Sequence, residues 1–167
     1  VLLRHAKAEP GGGGVLDHER PLALKGRKQA GRVGAALTAA GLVPDLALVS
    51  SALRTRQTWD IAKGHLDGVP SGGLQVRDEL YEASVRDVRE LLRGVDDHVR
   101  TLLVIGHEPT MAATAAYLAA DGSDDAALAQ VRVGVPTATY SVLESAEHGW
   151  SAWGRGSARL VHVGRPS

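Results

Sequence analysis

Two kinds of hydrophobic pattern alternate along the chain. Short uninterrupted apolar runs stand at Val1–Leu3, at Asp45–Val49 after its leading Asp, and at Thr101–Ile105 after its leading Thr. Runs of that length bounded by turn residues predict buried strands. Between them, apolar residues return at three- and four-residue intervals. Ala30, Val33 and Leu37 predict a helix from Leu24 to Ala40, with Gly41 as its C-terminal stop. Ser50-Ser51 leads into a helix predicted over Leu53–Lys63, with Ser as the N-cap. Gly64–Gly73 reads as loop, and Leu74–Val76 as a short strand.

Ser84 followed three residues later by Asp87 predicts a capping box. It opens a helix to Arg93 with Val85, Val88, Leu91 and Leu92 inward. Pro109 suits a helix start, and Met111–Ala120 continues it to a stop near Asp121-Gly122. The tail changes period. Thr137–Leu143, Trp150–Trp153 and Leu160–Val163 predict strands joined by Gly-containing turns. Trp150 and Trp153, three apart in extended chain, are expected on opposite sides. The order β-α-β-α-β-α-β-α-β-β-β predicts a layered α/β fold, with a mostly parallel sheet and an antiparallel edge.

Composition narrows the function classes. At 167 residues the chain is expected to be one domain, 1–167. Lys+Arg and Asp+Glu both number 19, so no global field favours nucleic acid or a membrane surface. The absence of Cys excludes disulfides and thiolate ligands, and favours a cytoplasmic setting. No apolar run approaches the ~18 residues that span a bilayer. Nothing resembles a signal peptide, and the chain begins at Val1 without a methionine. Gly11–Gly14 lacks the Gly-Lys-Ser/Thr ending of a nucleotide-binding P-loop. His18, His65, His98, His148 and His162 show no metal-ligand spacing and are expected at the surface or on strands.

The candidate chemistry lies at strand ends. Arg4 and His5 follow the first strand, and His107 follows Thr101–Ile105. Arg54 falls in the first turn of the helix after the second strand. Ligands of open α/β sheets bind beyond the carboxyl ends of the strands, so these four side chains share an edge. Guanidinium forks match phosphate oxygens, and neutral imidazole is a competent nucleophile. The set suits attack on a phosphoryl group held in a positive pocket. Arg54 is a cation at a helix N-terminus, which the dipole disfavours unless an anion intervenes. Arg56, two residues on, turns away to the surface. Arg20 either reaches the phosphate or pairs with Asp17 or Glu19. Ser51 either contributes a hydroxyl to the site or, the favoured reading, caps the helix.

The motifs Leu3-Arg4-His5-Ala6, Arg20-Pro21-Leu22, Ser50-Ser51-Ala52-Leu53-Arg54-Thr55-Arg56-Gln57-Thr58, Leu80-Tyr81-Glu82-Ala83 and Gly106-His107-Glu108-Pro109, in this order, resemble those of the histidine phosphatase superfamily. They are most similar to its SixA-type phosphohistidine phosphatase branch, over residues 1 to about 120. The resemblance implies a three-layer α/β/α sandwich of phosphoglycerate-mutase-like type. It implies His5 as nucleophile, and Arg4, Arg54 and His107 as phosphate-binding groups. Glu82 would be the acid for the leaving group, with Glu79 and Glu108 as weaker rivals. No metal or other cofactor is implied. The expected substrate is phosphohistidine in proteins, with a place in signal transduction.

Two alternatives remain open at this level: a small phosphorylated molecule as substrate, and a non-catalytic phosphoprotein-binding module. Nucleic acid and membranes are not expected partners. Two positions depart from the family pattern. Ala6 stands where a glycine is usual, and Ala23 where Thr or Ser often caps the first helix.

Overall fold

The computed structural model describes residues 1–146 and 149–167. Six strands form one sheet in the order β3-β2-β4-β1-β5-β6. They are β1 (Leu2–Arg4), β2 (Leu46–Ser50), β3 (Leu74–Arg77), β4 (Leu102–Gly106), β5 (Tyr140–Glu144) and β6 (Arg159–Gly164). β1 to β4 run parallel, whereas β5 and β6 are antiparallel to their neighbours. The register places Arg4 beside Gly106, so the residues after both strands, His5 and His107, emerge together.

Alternation along the central strands sorts side chains onto two faces. Leu2, Leu48, Leu102 and Val104 join one buried cluster with Val88, Leu92, Met111 and Val131. Leu3, Ala47, Val49, Leu103 and Ile105 join another with Val33, Leu37 and Trp59. Helices α1 (Leu24–Ala39) and α2 (Leu53–Lys63) therefore cover one face. Helices α3 (Val85–Arg93), α4 (Thr110–Leu118) and α5 (Asp125–Val133) cover the other. The result is the expected three-layer sandwich.

Glycine sets how closely the layers approach. A Cβ on Gly26 of α1 would lie 1.9 Å from the Lys7 carbonyl oxygen, and one on Gly34 would lie 2.3 Å from that of Ala62 in α2. Helix α1 starts at Ala23 without a side-chain cap, as the sequence indicated. Glutamines supply polar partners around that start instead: Gln29 Oε1 accepts Lys7 N–H at 2.9 Å and Gln57 Oε1 accepts Leu22 N–H at 2.8 Å. The Ser84/Asp87 capping box forms as expected.

Four points differ from expectation. Helix α5 was not anticipated; Asp124 caps it through Ala127 N–H. Trp150–Ala152 is a one-turn 3-10 helix rather than a strand. That turn brings the rings of Trp150 and Trp153 to 4.9 Å between centroids, on one side, while Trp150 Nε1 donates to the Val99 carbonyl. Ser51 does not cap α2, whose N-cap Ala52 makes no side-chain hydrogen bond. Among the described residues, no helix is long and apolar enough to cross a membrane.

Candidate active site

His5 sits where the backbone leaves β1 and is 7% exposed. Its Nδ1 lies 2.7 Å from the Ala6 carbonyl oxygen. A carbonyl only accepts, so Nδ1 carries the proton and Nε2 keeps its lone pair. Burial, with the charges of Arg54, Arg4 and Arg20 adding to it, pushes this imidazole down to about 4. The Ala6 N–H donates to Thr58 Oγ1 of α2 at 3.1 Å, which fixes the loop carrying the imidazole. Among the described residues, only Glu82 and Ala138 combine a side chain with positive φ. Ala6 therefore needs no glycine-like backbone, and its methyl is fully buried.

His107 follows β4, with its ring centroid 5.3 Å from that of His5. Its Nε2 lies 2.8 Å from Ser50 Oγ at the end of β2. Burial first, then the neighbouring His5 and Arg54, lower it to about 3. Both imidazoles are thus neutral across the physiological range.

The two arginines are anchored from outside the pocket. Arg4 Nη1 donates to the Val135 carbonyl at 2.8 Å. The Glu108 carboxylate holds that segment: Oε2 accepts Val135 N–H at 3.0 Å, and Oε1 accepts Ala112 N–H in α4 at 2.8 Å. Arg54, 6% exposed, donates from Nη1 to the Asp17 carbonyl at 2.8 Å and from Nη2 to the Asp17 carboxylate at 3.1 Å. The anion expected beside this helix start is therefore supplied by Asp17. The Nε atoms of Arg4 and Arg54 are both buried without a hydrogen-bond partner. Each guanidinium has five donors and has spent only part of them.

Asp17 joins three elements. Besides Arg54 it accepts from Arg20 Nε at 3.0 Å and from the Tyr81 hydroxyl. The Tyr81 bond, chiefly, and the guanidiniums lower its carboxyl to about 2. Tyr81 in turn packs its ring edge-on to His107, with centroids 5.7 Å apart, and to His18 at 4.8 Å. His18 Nε2 lies 2.9 Å from Ser51 Oγ. Tyr81 thus walls the pocket, and His18 stands at its edge rather than on unrelated surface.

The structure brings together Arg4, His5, Arg54 and His107. Glu82 lies next to Tyr81 with φ of 58°, exposed and without a hydrogen bond to these groups. Glu79 pairs with Arg77, and both Glu108 oxygens are committed to backbone N–H groups. Arg20 takes the Asp17 pairing, and Arg56 is exposed against the Ser51 carbonyl. Sequence reasoning missed Asp17, His18, Ser50 and Tyr81 as parts of the site. They stand within or beside the motifs read from the sequence, but their partners lie 33 to 64 residues away. His65 packs by Gly31, His98 pairs with Asp96 and His162 lies by Tyr140; His148 falls outside the described residues. Among the described residues, no group of three or more His, Asp or Glu is arranged to hold a metal ion.

Two imidazoles and two guanidiniums meet at the carboxyl edge of the sheet, an arrangement that can hold a phosphoryl group beside a neutral imidazole. The family model of the histidine phosphatase superfamily (branch 1) matches residues 1–93, and the chain belongs to that family. An uncharacterised protein of Mycobacterium tuberculosis is 41% identical over 98% of this chain and 100% of its own length. A solved structure from Nakamurella multipartitia, named for the phosphohistidine phosphatase SixA, is 31% identical with a TM-score of 0.82, covering 99% of this chain and 95% of that one. The protein histidine phosphatase SixA complexed with tungstate has a similar fold: TM-score 0.78 at 22% identity, covering 99% and 95%.

Proposed function

We propose that this phosphatase removes the phosphoryl group from phosphohistidine in proteins, through a phosphorylated His5. The His5 Nε2 lone pair attacks phosphorus, and the bond from phosphorus to the substrate imidazole breaks. Arg4, Arg54 and His107 bind the phosphoryl oxygens and stabilise the charge spread over them. Water then attacks the phosphorylated His5, releasing inorganic phosphate and restoring the imidazole. A neutral nucleophile suits this role, because a protonated His5 would have no lone pair to offer.

One observation carries the choice of substrate: among the described residues, no carboxylic acid is held against the pocket ready to give a proton. Asp17 is fixed as a carboxylate, Glu108 is tied to the backbone, and Glu82 is exposed at the mouth. A departing alkoxide needs a proton from an acid. A departing imidazole is the easier leaving group and can take its proton from water. Glu82 is the group that would serve an alkoxide.

The test is a panel of substrates at matched concentration. A phosphohistidine peptide and free phosphoramidate should turn over at least about tenfold faster, in kcat/KM, than sugar phosphates and nucleotides. Preference for any phosphate ester would replace this reading with that of a small-molecule phosphomonoesterase.

A further inference from the structure

An open groove of about 650 Å³ runs between α3 and α4, and nothing in the phosphoryl-transfer mechanism uses it. Arg86, Arg89 and Arg155 line it together with Tyr117, over a floor that includes Ala113 and Ala116. Among the described residues, none of these three arginines has a carboxylate partner. The carboxylates on α3 are bonded elsewhere, Asp87 to Ser84 and Glu90 to Arg93, with Arg86 adding only a through-space charge effect on Asp87. Arg89 Nε is shielded from solvent and lacks a hydrogen-bond partner. Arg155 lies over the Tyr117 ring, 4.8 Å from its centroid. The chain as a whole is neutral, so this is a local concentration of cations and not part of a general field.

The α3 end of the groove, at Val85 and Arg86, follows within five residues of Tyr81, which packs against His107. Helices of a parallel α/β sheet begin at the edge where the strands end, so α3 and α4 both have their N-termini there. The Thr110 hydroxyl at the start of α4 donates to the Ala83 carbonyl just before α3, which ties the two starts together. The groove lines α4 from Ala113 to Tyr117, and Tyr117 lies about 10 Å along the helix from Thr110. Three extended residues span that length at about 3.3 Å each. Arg86 and Arg89, three apart on one helix, face the same side.

We propose that this groove binds an acidic segment of the phosphorylated protein, next to the phosphohistidine that enters the active site. The inference rests on the reading of the substrate as a protein. Unpaired guanidiniums accept carboxylates in bidentate fashion, and an open groove admits a chain that continues in both directions. A positive strip leading to the site also speeds the encounter with an acidic partner, and salt weakens that effect.

The experiment compares two synthetic phosphohistidine peptides of equal length. One carries a six-residue Glu/Asp tract beside the phosphohistidine, the other a Gln/Asn tract. The acidic peptide should have a KM at least about tenfold lower, with kcat within about twofold. In the triple variant Arg86→Gln, Arg89→Gln, Arg155→Gln the difference should vanish, while phosphoramidate hydrolysis stays unchanged. Lys at the same three positions should restore most of the preference. Equal KM values for the two peptides with the unaltered enzyme would overturn the groove assignment. So would a variant that loses phosphoramidate hydrolysis in parallel, since the arginines would then be supporting the fold. Hydrolysis of phosphoramidate with neither peptide cleaved would overturn the protein-substrate reading, and the groove assignment with it.

Discussion

The Nδ1 of His5 is held 2.7 Å from the carbonyl of its own neighbour, Ala6. This short local bond leaves Nε2 as the nitrogen with the free lone pair, and it needs no distant residue to do so. Replacing His5 with Ala should reduce turnover by at least about 10³-fold, while circular dichroism shows an unchanged fold. Acid quenching would destroy a phosphohistidine, so the unaltered enzyme should show a base-stable, acid-labile phosphate on His5 in rapid-mixing experiments. Labelling that persists in the Ala variant would place the nucleophile elsewhere.

The depressed imidazoles fix a pH dependence. His5 is lowered from 6.5 to about 4 and His107 from 6.5 to about 3. In the folded state both stay neutral where the unfolded chain has begun to take up protons. The unfolded state thus binds more protons below 6.5, and stability falls as pH falls. The contribution is fully present above 6.5, declines from there, and is lost by about 3 to 4. For His5 the loss is about 3 kcal/mol. Denaturant melts between pH 7 and 4 should show this decline, and His5→Ala should flatten it. The acid limb of kcat/KM should lie well below 6.5 for the same reason. A limb at 6.5 would mean that the imidazoles are as solvated as free histidine.

Asp17 spends its carboxylate on three donors from three parts of the chain. Asp17→Asn keeps the backbone carbonyl that receives Arg54 Nη1 but removes the charge. We expect affinity for vanadate or tungstate to fall about tenfold, because Arg54 is less firmly placed. Tyr81→Phe removes only the hydroxyl and keeps the ring against His107, so its effect should be smaller, within about threefold. Isothermal titration of both variants checks the order. Equal losses would assign the main role to the hydroxyl.

Glu108 acts on Arg4 through the backbone of Val135. Glu108→Ala leaves the Ala112 and Val135 N–H groups without their acceptor. It should lower stability by about 1–3 kcal/mol and raise KM. A change in stability alone, with oxyanion affinity intact, would show that Arg4 holds its position unaided.

Glu82 distinguishes two kinds of leaving group. Glu82→Gln should slow hydrolysis of a phosphate ester with a poor leaving group by about 10²-fold. It should leave phosphoramidate within about twofold. Equal effects on both would point to a role in the turn, where Glu82 holds a left-handed backbone that favours Gly or Asn.

The sheet was legible because β1, β2 and β4 are apolar up to their last residue, and near-continuous apolar runs are what parallel strands covered on both faces require. The four charged and imidazole groups were legible because each stands directly after a strand or opens a helix. Helix α5 left a signal that went unread: Asp124 followed by Ala127, Leu128 and Val131 has a cap and a helical spacing. Trp150–Ala152 misled because aromatic residues beside a predicted strand carry strand propensity, whereas here the packing of Trp150 against Val99 decides the local turn. Asp17, Tyr81 and Ser50 could not be assigned from spacing, since their partners are set by the fold and not by nearby sequence. Gly26 belongs with them: its need for a bare Cα appears only once Lys7 lies against it.

Arg4 is steadied by a carbonyl from Val135, and β1 is flanked by β5. All the recognisable signature residues precede position 110, yet the carbonyl that receives the Arg4 guanidinium comes from a stretch carrying no signature. A fragment cut after that last motif would keep every reactive group and still be crippled, with an open edge where β5 had lain. The stretch around Val135 and β5 therefore belongs to the site as much as the motifs do, and shortening it would remove both the Arg4 acceptor and a neighbour of β1.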